Sequence, residues 1–193
     1  MVITGATGAI GSALGRHFKK ARAYDPREAT HTPYTDVLIN CIGFNSDSVM
    51  HKSDPWAWDR VVRTNLLYVA DVIMMALPYM REHKYGRIIN MSSVLANMGV
   101  AGTSAYAASK AGLNGMIKAI AVENAKHNIL INNLNLGYMD LGMTHRIPNH
   151  EELKKKIPIG RFGHIDEIIR ACEFLINSNY ITGTCIDING GLW

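Results

Sequence analysis

The chain carries a tyrosine and a lysine at a spacing suited to proton transfer. Tyr106 and Lys110 stand at positions i and i+4 of the segment YAASK, so a helix would place both side chains on one face. A phenol has an ordinary pKa of about 10 and is a poor acid or base near neutral pH, unless a nearby cation stabilises its phenolate. We therefore expect Lys110 to lower the pKa of Tyr106, which could then exchange a proton with a carbonyl or hydroxyl oxygen.

Two further polar residues support this interpretation, because a tyrosine–lysine pair alone is common on surface helices. Ser93 ends the predicted strand RIINMSS, at the edge where parallel sheets place their ligands, and its hydroxyl could bond the reacting oxygen. Asn65 lies inside a predicted helix over residues 55–81, where asparagine is mildly unfavourable and needs a reason.

A glycine-rich turn predicts a binding site for a dinucleotide. The segment TGATGAIG, residues 4–11, follows a predicted strand and opens a predicted helix. Glycine lets the backbone approach a pyrophosphate, and the free N–H groups at a helix start favour its negative charge. The residues of this turn expected to bind the cofactor are Gly5, Thr7, Gly8, Ile10 and Gly11.

An acidic residue indicates which dinucleotide is bound. Asp25 lies 20 residues after Gly5, where a carboxylate usually accepts hydrogen bonds from the adenosine ribose. A carboxylate would repel a 2′-phosphate, which favours NAD. Two alternatives stay open: Asp25 caps a turn with Pro26, or Arg22 and Arg27 bind a phosphate, so that NADP is possible.

The order and spacing of these motifs resemble the short-chain dehydrogenase/reductase family over nearly the whole chain. The matching segments are TGATGAIG, Asn65, Ser93, YAASK, NLGYMD and the closing YITGTCIDINGG. The resemblance implies a catalytic tetrad of Asn65, Ser93, Tyr106 and Lys110. It also implies that Lys110 bonds the nicotinamide ribose and that Asn65 holds a water linking Lys110 to solvent.

The same resemblance implies two further cofactor contacts. One is a turn along the adenosine, formed here by Asn40, Cys41, Ile42 and Gly43. The other is a segment whose backbone holds the nicotinamide carboxamide, formed by Leu136, Gly137, Tyr138 and Met139.

The sequence departs from the family pattern at several positions. Ala9 stands where a glycine is usual, and the resulting GxxGxxG spacing is closer to the extended, sugar-nucleotide-modifying branch. Leu136 replaces a proline, and Leu141 replaces a threonine for which Thr144 is the nearest substitute. Only about ten residues separate Asp25 from Asp36, whereas a crossover with its helix needs at least about 10–12. We therefore predict a shortened sheet edge on the adenine side and a lowered cofactor affinity.

Alternating apolar and helical runs predict a doubly wound α/β fold. Because parallel strands need crossover connections, we expect a single domain, residues 1–193, with three layers and a mostly parallel Rossmann-like sheet. The predicted strands cover residues 1–4, 36–42, 87–92, 130–136 and 185–189. The predicted helices cover residues 10–21, 55–81 (capped by Ser53 or Asp54), 104–126 and 166–177.

Composition limits the class of protein. A hydrophobic fraction of 48% and a charged fraction of 19% predict a water-soluble domain with a sizeable core. Three distant cysteines (Cys41, Cys172 and Cys185) without a CxxC pair favour a reducing cytoplasm over a disulfide framework. A net charge of +4 without a basic stripe does not indicate nucleic-acid binding. The apolar run 66–80 is too short to span a membrane, and the N-terminus does not resemble a signal peptide.

Two segments remain to be assigned. Residues 140–161 are predicted to form a polar, loop-like flap over the substrate. Its histidines, His145 and His150, fit no standard ligand spacing with Asp140 or Glu151, so no metal is expected. The long helix and the YAASK helix are expected, from the resemblance, to pair with a second subunit in a homodimer or homotetramer.

The leading hypothesis is an NAD(P)-dependent oxidoreductase that interconverts a small-molecule carbonyl and a secondary alcohol, with no nucleic-acid or membrane partner. One alternative is a sugar-nucleotide epimerase or reductase, which the GxxGxxG spacing favours. Another is a non-catalytic scaffold or sensor that binds a dinucleotide, which the shortened sheet favours. The mixed small and apolar residues between Val94 and Thr103 suit many carbonyl compounds.

Overall fold

A computed structural model describes residues 1–25 and 34–192, which form a six-stranded parallel sheet with helices on both faces. The strand order is β2-β1-β3-β4-β5-β6. The strands are β1 (Val2–Thr4), β2 (Arg22–Tyr24), β3 (Val37–Asn40), β4 (Gly86–Ser93), β5 (Ile129–Leu136) and β6 (Cys185–Ile188). The helices are α1 (Ala9–His17), α2 (Pro55–Val62), α3 (Tyr68–Glu82), α4 (Ser104–Asn124), α5 (His150–Lys155) and α6 (Ile165–Asn177). The predicted three-layer α/β class is confirmed.

Two apolar clusters hold the three layers together. On one face, α3 and α4 bury residues such as Val72 and Ile117 against Ile88 and Ile131 of the sheet. On the other face, α1 and α6 bury Leu14, Ile168 and Cys172 against Ile3, Ile39, Ile89 and Leu134. The strands therefore carry buried apolar residues on both sides, as expected of a parallel sheet covered by helices.

The adenine-side edge of the sheet is short, as predicted. Among the described residues, β2 is the outermost strand on that side and contains three residues. It pairs with β1, whose other neighbour is β3. Pro26 and Arg27, weighed above as neighbours of Asp25, lie outside the described residues.

The predicted helix over residues 55–81 is one helical stretch built from three pieces. Asp54 caps α2 by accepting hydrogen bonds from the backbone N–H groups of Trp56 and Ala57, at 3.2 Å each. A π-helical segment, Arg63–Leu67, then joins α2 to α3. The combined stretch Pro55–Glu82 has 28 residues and, by length and composition alone, is long and apolar enough to cross a membrane, whereas the apolar run 66–80 considered above is only part of it. Its buried side chains pack on the sheet, as those of a core helix do.

The segment predicted as a loop-like flap is partly helical, which corrects that prediction. It contains a 3₁₀ turn, Gly142–Arg146, and helix α5. Glu151 and Glu152 lie in the first turn of α5 and Lys154 and Lys155 in its last, an order that suits the helix dipole. The first helix of the chain is shorter than predicted and ends at His17, because the backbone turns at Phe18 towards β2.

Candidate active site

Three of the predicted catalytic residues lie together at the carboxyl edge of the sheet. Ser93 is the last residue of β4, and Tyr106 and Lys110 lie in the first two turns of α4. The Ser93 side chain lies near enough to Tyr106 to influence its pKa, and it accepts a hydrogen bond from the backbone N–H of Leu95 at 3.2 Å. The Lys110 ammonium lies 5.6 Å from the centre of the Tyr106 ring. The structure therefore assembles the hydroxyl, phenol and ammonium that the sequence predicted.

Burial dominates the ionisation of Tyr106. Burial raises the pKa of Tyr106 to about 12, and the nearby Asp47 carboxylate also raises it. The Ser93 side chain has the opposite, smaller effect and lowers this pKa. The expectation that Lys110 brings this pKa below its ordinary value is therefore not met in this structure. The phenol is protonated at neutral pH, which is the form that can donate a proton to a carbonyl oxygen.

Lys110 is a buried ammonium that bonds to the strand beside it. Its Nζ donates a hydrogen bond of 2.8 Å to the main-chain carbonyl of Met91, and the residue is 2% exposed. Burial lowers the pKa of Lys110 to about 8, while the negative charge of an ionised Cys41 would raise it. The group therefore changes its charge within the neutral to mildly alkaline range.

Asn65 lies in the π-helical segment, which explains why a helix contains it. The N–H of Tyr68 bonds back to the carbonyl of Arg63, five residues earlier, and Asn65 is fully buried. The Asn65 side chain forms two hydrogen bonds with the backbone of Phe44. It accepts from the Phe44 N–H at 2.7 Å and donates to the Phe44 carbonyl at 2.8 Å. The second amide hydrogen is donated to Ser109, next to Lys110, at 3.1 Å. The water predicted to connect Asn65 and Lys110 stays a prediction.

The glycine-rich turn is tight enough to require glycine at two positions. Gly5 has φ +63°, and a Cβ there would lie 2.7 Å from the carbonyl carbon of Cys41. A Cβ on Gly11 would collide with the Gly5 carbonyl oxygen. Gly8 precedes α1 and no side chain caps the helix, which leaves its first N–H groups for a ligand such as a pyrophosphate.

A cleft of about 780 Å³ begins at this turn, a volume within the usual range of ligand-binding pockets. Seven residues predicted to bind the cofactor line it: Gly5, Thr7, Gly8, Asp25, Cys41, Ile42 and Gly43. Arg60 and Arg63 of the helix opposite line it too, and the sequence analysis did not identify them. Arg60 and Arg63 are three residues apart and therefore share one helix face, and this spacing could have indicated them as candidates.

Other predicted cofactor residues lie outside the lining of the cleft, and their contacts with a cofactor stay predictions. Ile10 packs into the apolar cluster beneath the turn. The Asn40 side chain is buried and forms hydrogen bonds with Thr4 and Asn90 on the two neighbouring strands. The Met139 side chain is buried in the same cluster as Ile10. Gly11 and Gly137 are packing positions: a Cβ on Gly137 would lie 2.8 Å from the Cα of Asn189.

A second cavity, of about 720 Å³, lies beside α5 and the start of α6. Two pairs of ionisable side chains are among its lining: His145 lies 3.1 Å from Asp140, and Arg161 lies 2.8 Å from Glu167. Across residues 1–25 and 34–192, no group of three or more histidine, cysteine or acidic side chains is arranged to hold a metal ion.

Comparison with known proteins identifies the family. A family model described as "Enoyl-(Acyl carrier protein) reductase" matches residues 27–193. The chain is 40% identical over 161 residues to the 3-oxoacyl-[acyl-carrier-protein] reductase FabG of Thermotoga maritima, which covers 81% of this chain and 65% of that protein. It is 38% identical over 161 residues to the acetoacetyl-CoA reductase of Shinella zoogloeoides, covering 81% and 67%. The chain therefore spans about two thirds of the length of these relatives and belongs to the short-chain dehydrogenase/reductase family.

A solved structure shows the same fold. The 3-oxoacyl-[acyl-carrier protein] reductase of Brucella melitensis superposes with a TM-score of 0.89 at 24% identity. The superposition covers 99% of this chain and 90% of that one. The three layers and the position of the carboxyl edge are therefore those of the family.

Proposed function

We propose that this protein uses a nicotinamide cofactor to reduce a carbonyl group to a secondary alcohol. The observation that carries the proposal is the contact of Ser93 with a protonated Tyr106, with the Lys110 ammonium beside the phenol ring. All three groups lie at the edge of the sheet to which the cleft also opens. A scaffold or sensor would need the cleft but not the buried acid, so the site favours an enzyme.

The names of the relatives suggest the substrate class. They are reductases of 3-oxoacyl and acetoacetyl groups carried as thioesters. We infer that this chain reduces a 3-oxoacyl thioester at its keto group, rather than acting on a sugar nucleotide.

The residues around the cleft fit a nicotinamide dinucleotide. When bound, such a cofactor supplies the hydride that the carbonyl carbon receives. The glycine turn and the start of α1 would hold its pyrophosphate, and Asp25 would accept hydrogen bonds from the adenosine ribose. Asp25 supports NAD, whereas Arg60 and Arg63 could neutralise the additional phosphate of NADP.

The side chains divide the work of proton transfer among them. Because Ser93 Oγ already accepts from Leu95, its own hydrogen can be donated to the substrate oxygen and orient it. Tyr106 then gives its proton to that oxygen as negative charge develops there. Lys110 stabilises the phenolate that is left, and a titration near pH 8 lets it return a proton to Tyr106. Asn65 keeps the Phe44 loop and α4 in place.

We also propose an assembly and a location for the protein. Leu67 and Met74 on one helix and Val122 on α4 are exposed apolar side chains, which supports pairing of these helices in a homodimer or homotetramer. The three cysteines are free, which supports a reducing compartment such as the cytoplasm. The mass in solution, measured by light scattering, tests the assembly.

A direct assay tests the proposed function. Purified protein is mixed with NADH or NADPH and either acetoacetyl-CoA or a simple ketone, and loss of the reduced cofactor is followed by its near-ultraviolet absorbance. We expect oxidation with the thioester and formation of the 3-hydroxy product. No consumption with any carbonyl compound, in the presence of demonstrated cofactor binding, would instead support a sensor.

A further inference from the structure

A row of buried polar side chains, most of them amides, crosses the face of the sheet that α4 covers. Thr4, Asn40, Asn90 and Asn133 are register partners on β1, β3, β4 and β5. Thr4 Oγ1 donates to Asn40 Oδ1 at 3.0 Å, Asn40 Nδ2 to Asn90 Oδ1 at 2.8 Å, and Asn90 Nδ2 to Asn133 Oδ1 at 2.9 Å. All four residues are at most 1% exposed.

Asn114 of α4 continues this row. Its Oδ1 accepts from Asn133 Nδ2 at 2.8 Å and from Ser92 Oγ at 2.9 Å. Its Nδ2 donates to Asn135 Oδ1 at 3.2 Å, and Asn135 Nδ2 donates to the Asp187 carboxylate at 2.9 Å. We call the seven residues from Thr4 to Asp187 the amide chain. The six residues before Asp187 all donate in the same direction along the chain, and the Asp187 carboxylate at its end accepts.

The amide chain is not required to fill the core between α4 and the sheet, because apolar side chains could do so. Inner strands of a parallel sheet are usually apolar, and apolar groups of similar volume often stabilise a core as well as a buried polar network does. A fully bonded network does, however, select one arrangement of the elements that it joins. Here those elements carry the proposed catalytic groups.

Asn114 joins α4 to β4 close to the site. It lies one helical turn after Lys110, and Ser92 directly precedes Ser93. The Ser92 hydroxyl that bonds Asn114 also lies 3.4 Å from the carbonyl oxygen of Lys110. One amide therefore connects the helix turn that presents the ammonium to the strand end that presents the hydroxyl.

We propose that Asn114 is a positioning residue, whose three hydrogen bonds fix the distance and rotation of the Lys110 turn relative to the end of β4. Asp187 sets the direction in which the amides donate and so determines which atom Asn114 presents to Ser92. The inference rests on the proposed reductase function and deepens it. A displacement of about 1 Å between reacting groups can cost about 100-fold in rate, so hydrogen bonds remote from the substrate can matter.

A pair of substitutions on the same helix tests the position. Asn114→Leu removes the three bonds, and the matched control Asn124→Leu removes two bonds from another residue of α4, those with Ile120 and Arg81. We expect N114L to lower kcat about 10- to 100-fold with cofactor Kd changed by less than about threefold. We expect N124L to lower the free energy of unfolding and to keep kcat. Equal kcat in N114L and the wild type, or an equal loss in N124L, would overturn the proposal.

A second pair of substitutions, Asn114→Asp and Asp187→Asn, tests the direction in which the amide chain donates. It also tests the positioning role of Asn114 if N114L does not fold. Asn114→Asp keeps the shape but cannot donate to Asn135. Asn135 must then turn to donate to residue 114, which leaves its buried oxygen facing the Asp187 carboxylate without a donor. Asp187→Asn supplies that donor. We expect N114D to lose kcat, D187N to lose at most about threefold, and N114D/D187N to return close to D187N.

Recovery in the double variant cannot come from local packing, because residues 114 and 187 communicate through Asn135. A double variant no more active than N114D overturns the proposal. If N114L and N114D keep full activity, this inference alone fails. If the wild-type protein reduces no carbonyl compound, the proposed function and this inference fail together.

Discussion

The ammonium of Lys110 donates a 2.8 Å hydrogen bond to the main-chain carbonyl of Met91, two residues before Ser93. The bond connects α4 to β4, the strand that ends at Ser93. It also keeps a charged group inside the protein, where burial lowers the pKa of Lys110 to about 8 and burial raises that of Tyr106 to about 12. The two groups thus keep their protons at neutral pH, which suits a site that delivers a proton to substrate.

Tyr106→Phe is expected to lower kcat by about 10²- to 10⁴-fold, because the variant has no proton to donate. Cofactor binding should change little, since the ring remains. Initial rates and cofactor fluorescence titrations measure both quantities. Tyr180→Phe is the matched control, because Tyr180 is fully exposed. Unchanged turnover in the Tyr106 variant would contradict the mechanism.

The rate of reduction is expected to fall as the pH rises above about 8. Lys110 is charged below its lowered pKa of about 8 and neutral above it, and only the charged form stabilises the Tyr106 phenolate. The falling limb should appear in kcat measured from about pH 6 to about pH 10 at saturating substrate. Lys110→Met should be much slower and lack that limb. A wild-type rate that stays level to the alkaline end would argue against this role for Lys110.

Asp25→Ser is expected to favour NADPH over NADH. The change removes the carboxylate that would bond the ribose and repel a 2′-phosphate, while Arg60 and Arg63 stay in the cleft. Losing hydrogen bonds to a charged group should lower kcat/KM for NADH by about tenfold or more. Asp36→Asn is a suitable control, because Asp36 does not line the cleft. An unchanged ratio of the two cofactors would remove Asp25 from the binding site.

Cofactor binding is expected to be weak in this protein. Among the described residues the sheet ends on that side at the three-residue strand β2, so we expect few groups to enclose the adenine and a Kd for the preferred dinucleotide above about 10 μM. Calorimetric titration of the wild-type protein measures it. A Kd in the low micromolar range or below would show that the short edge does not weaken the adenine site.

Glu167→Gln is expected to destabilise the protein near neutral pH. The Glu167 carboxylate accepts from the His164 N–H at 2.6 Å and from Arg161 at 2.8 Å, which lowers the pKa of Glu167 to about 2. Loss of this helix cap should reduce the free energy of unfolding by about 1 kcal/mol.

The effect of Glu167 should depend on pH in a defined direction. The folded-state pKa lies below the unfolded value of 4.5, so the stabilisation is complete above pH 4.5 and is lost as the pH falls towards 2. Urea unfolding at several pH values measures it, with Glu123→Gln as an exposed control on α4. A difference between Glu167→Gln and the wild type that stays constant down to acid pH would count against the cap.

Parts of the structure could not be predicted because their causes lie far apart in the chain. The helical pattern over residues 55–81 is continuous, so it does not reveal the π-helical segment that turns Asn65 towards Phe44. Asn133 and Asn135 break the apolar pattern of a buried strand, and that break was a usable signal for the amide chain. Their partners on α4 and β6, however, follow only from the packing of those elements.

By itself the sequence predicted the α/β class, the short sheet edge and the candidate acid, hydroxyl and cation. Those features depend on local spacing: a helix repeat for Tyr106 and Lys110, and alternating strand and helix patterns for the sheet. Only the tertiary structure decided that Tyr106 holds its proton, that Met139 faces the core and that Asn114 connects helix to strand. Each of these depends on desolvation or on a distant hydrogen-bond partner, and both arise only when the layers pack.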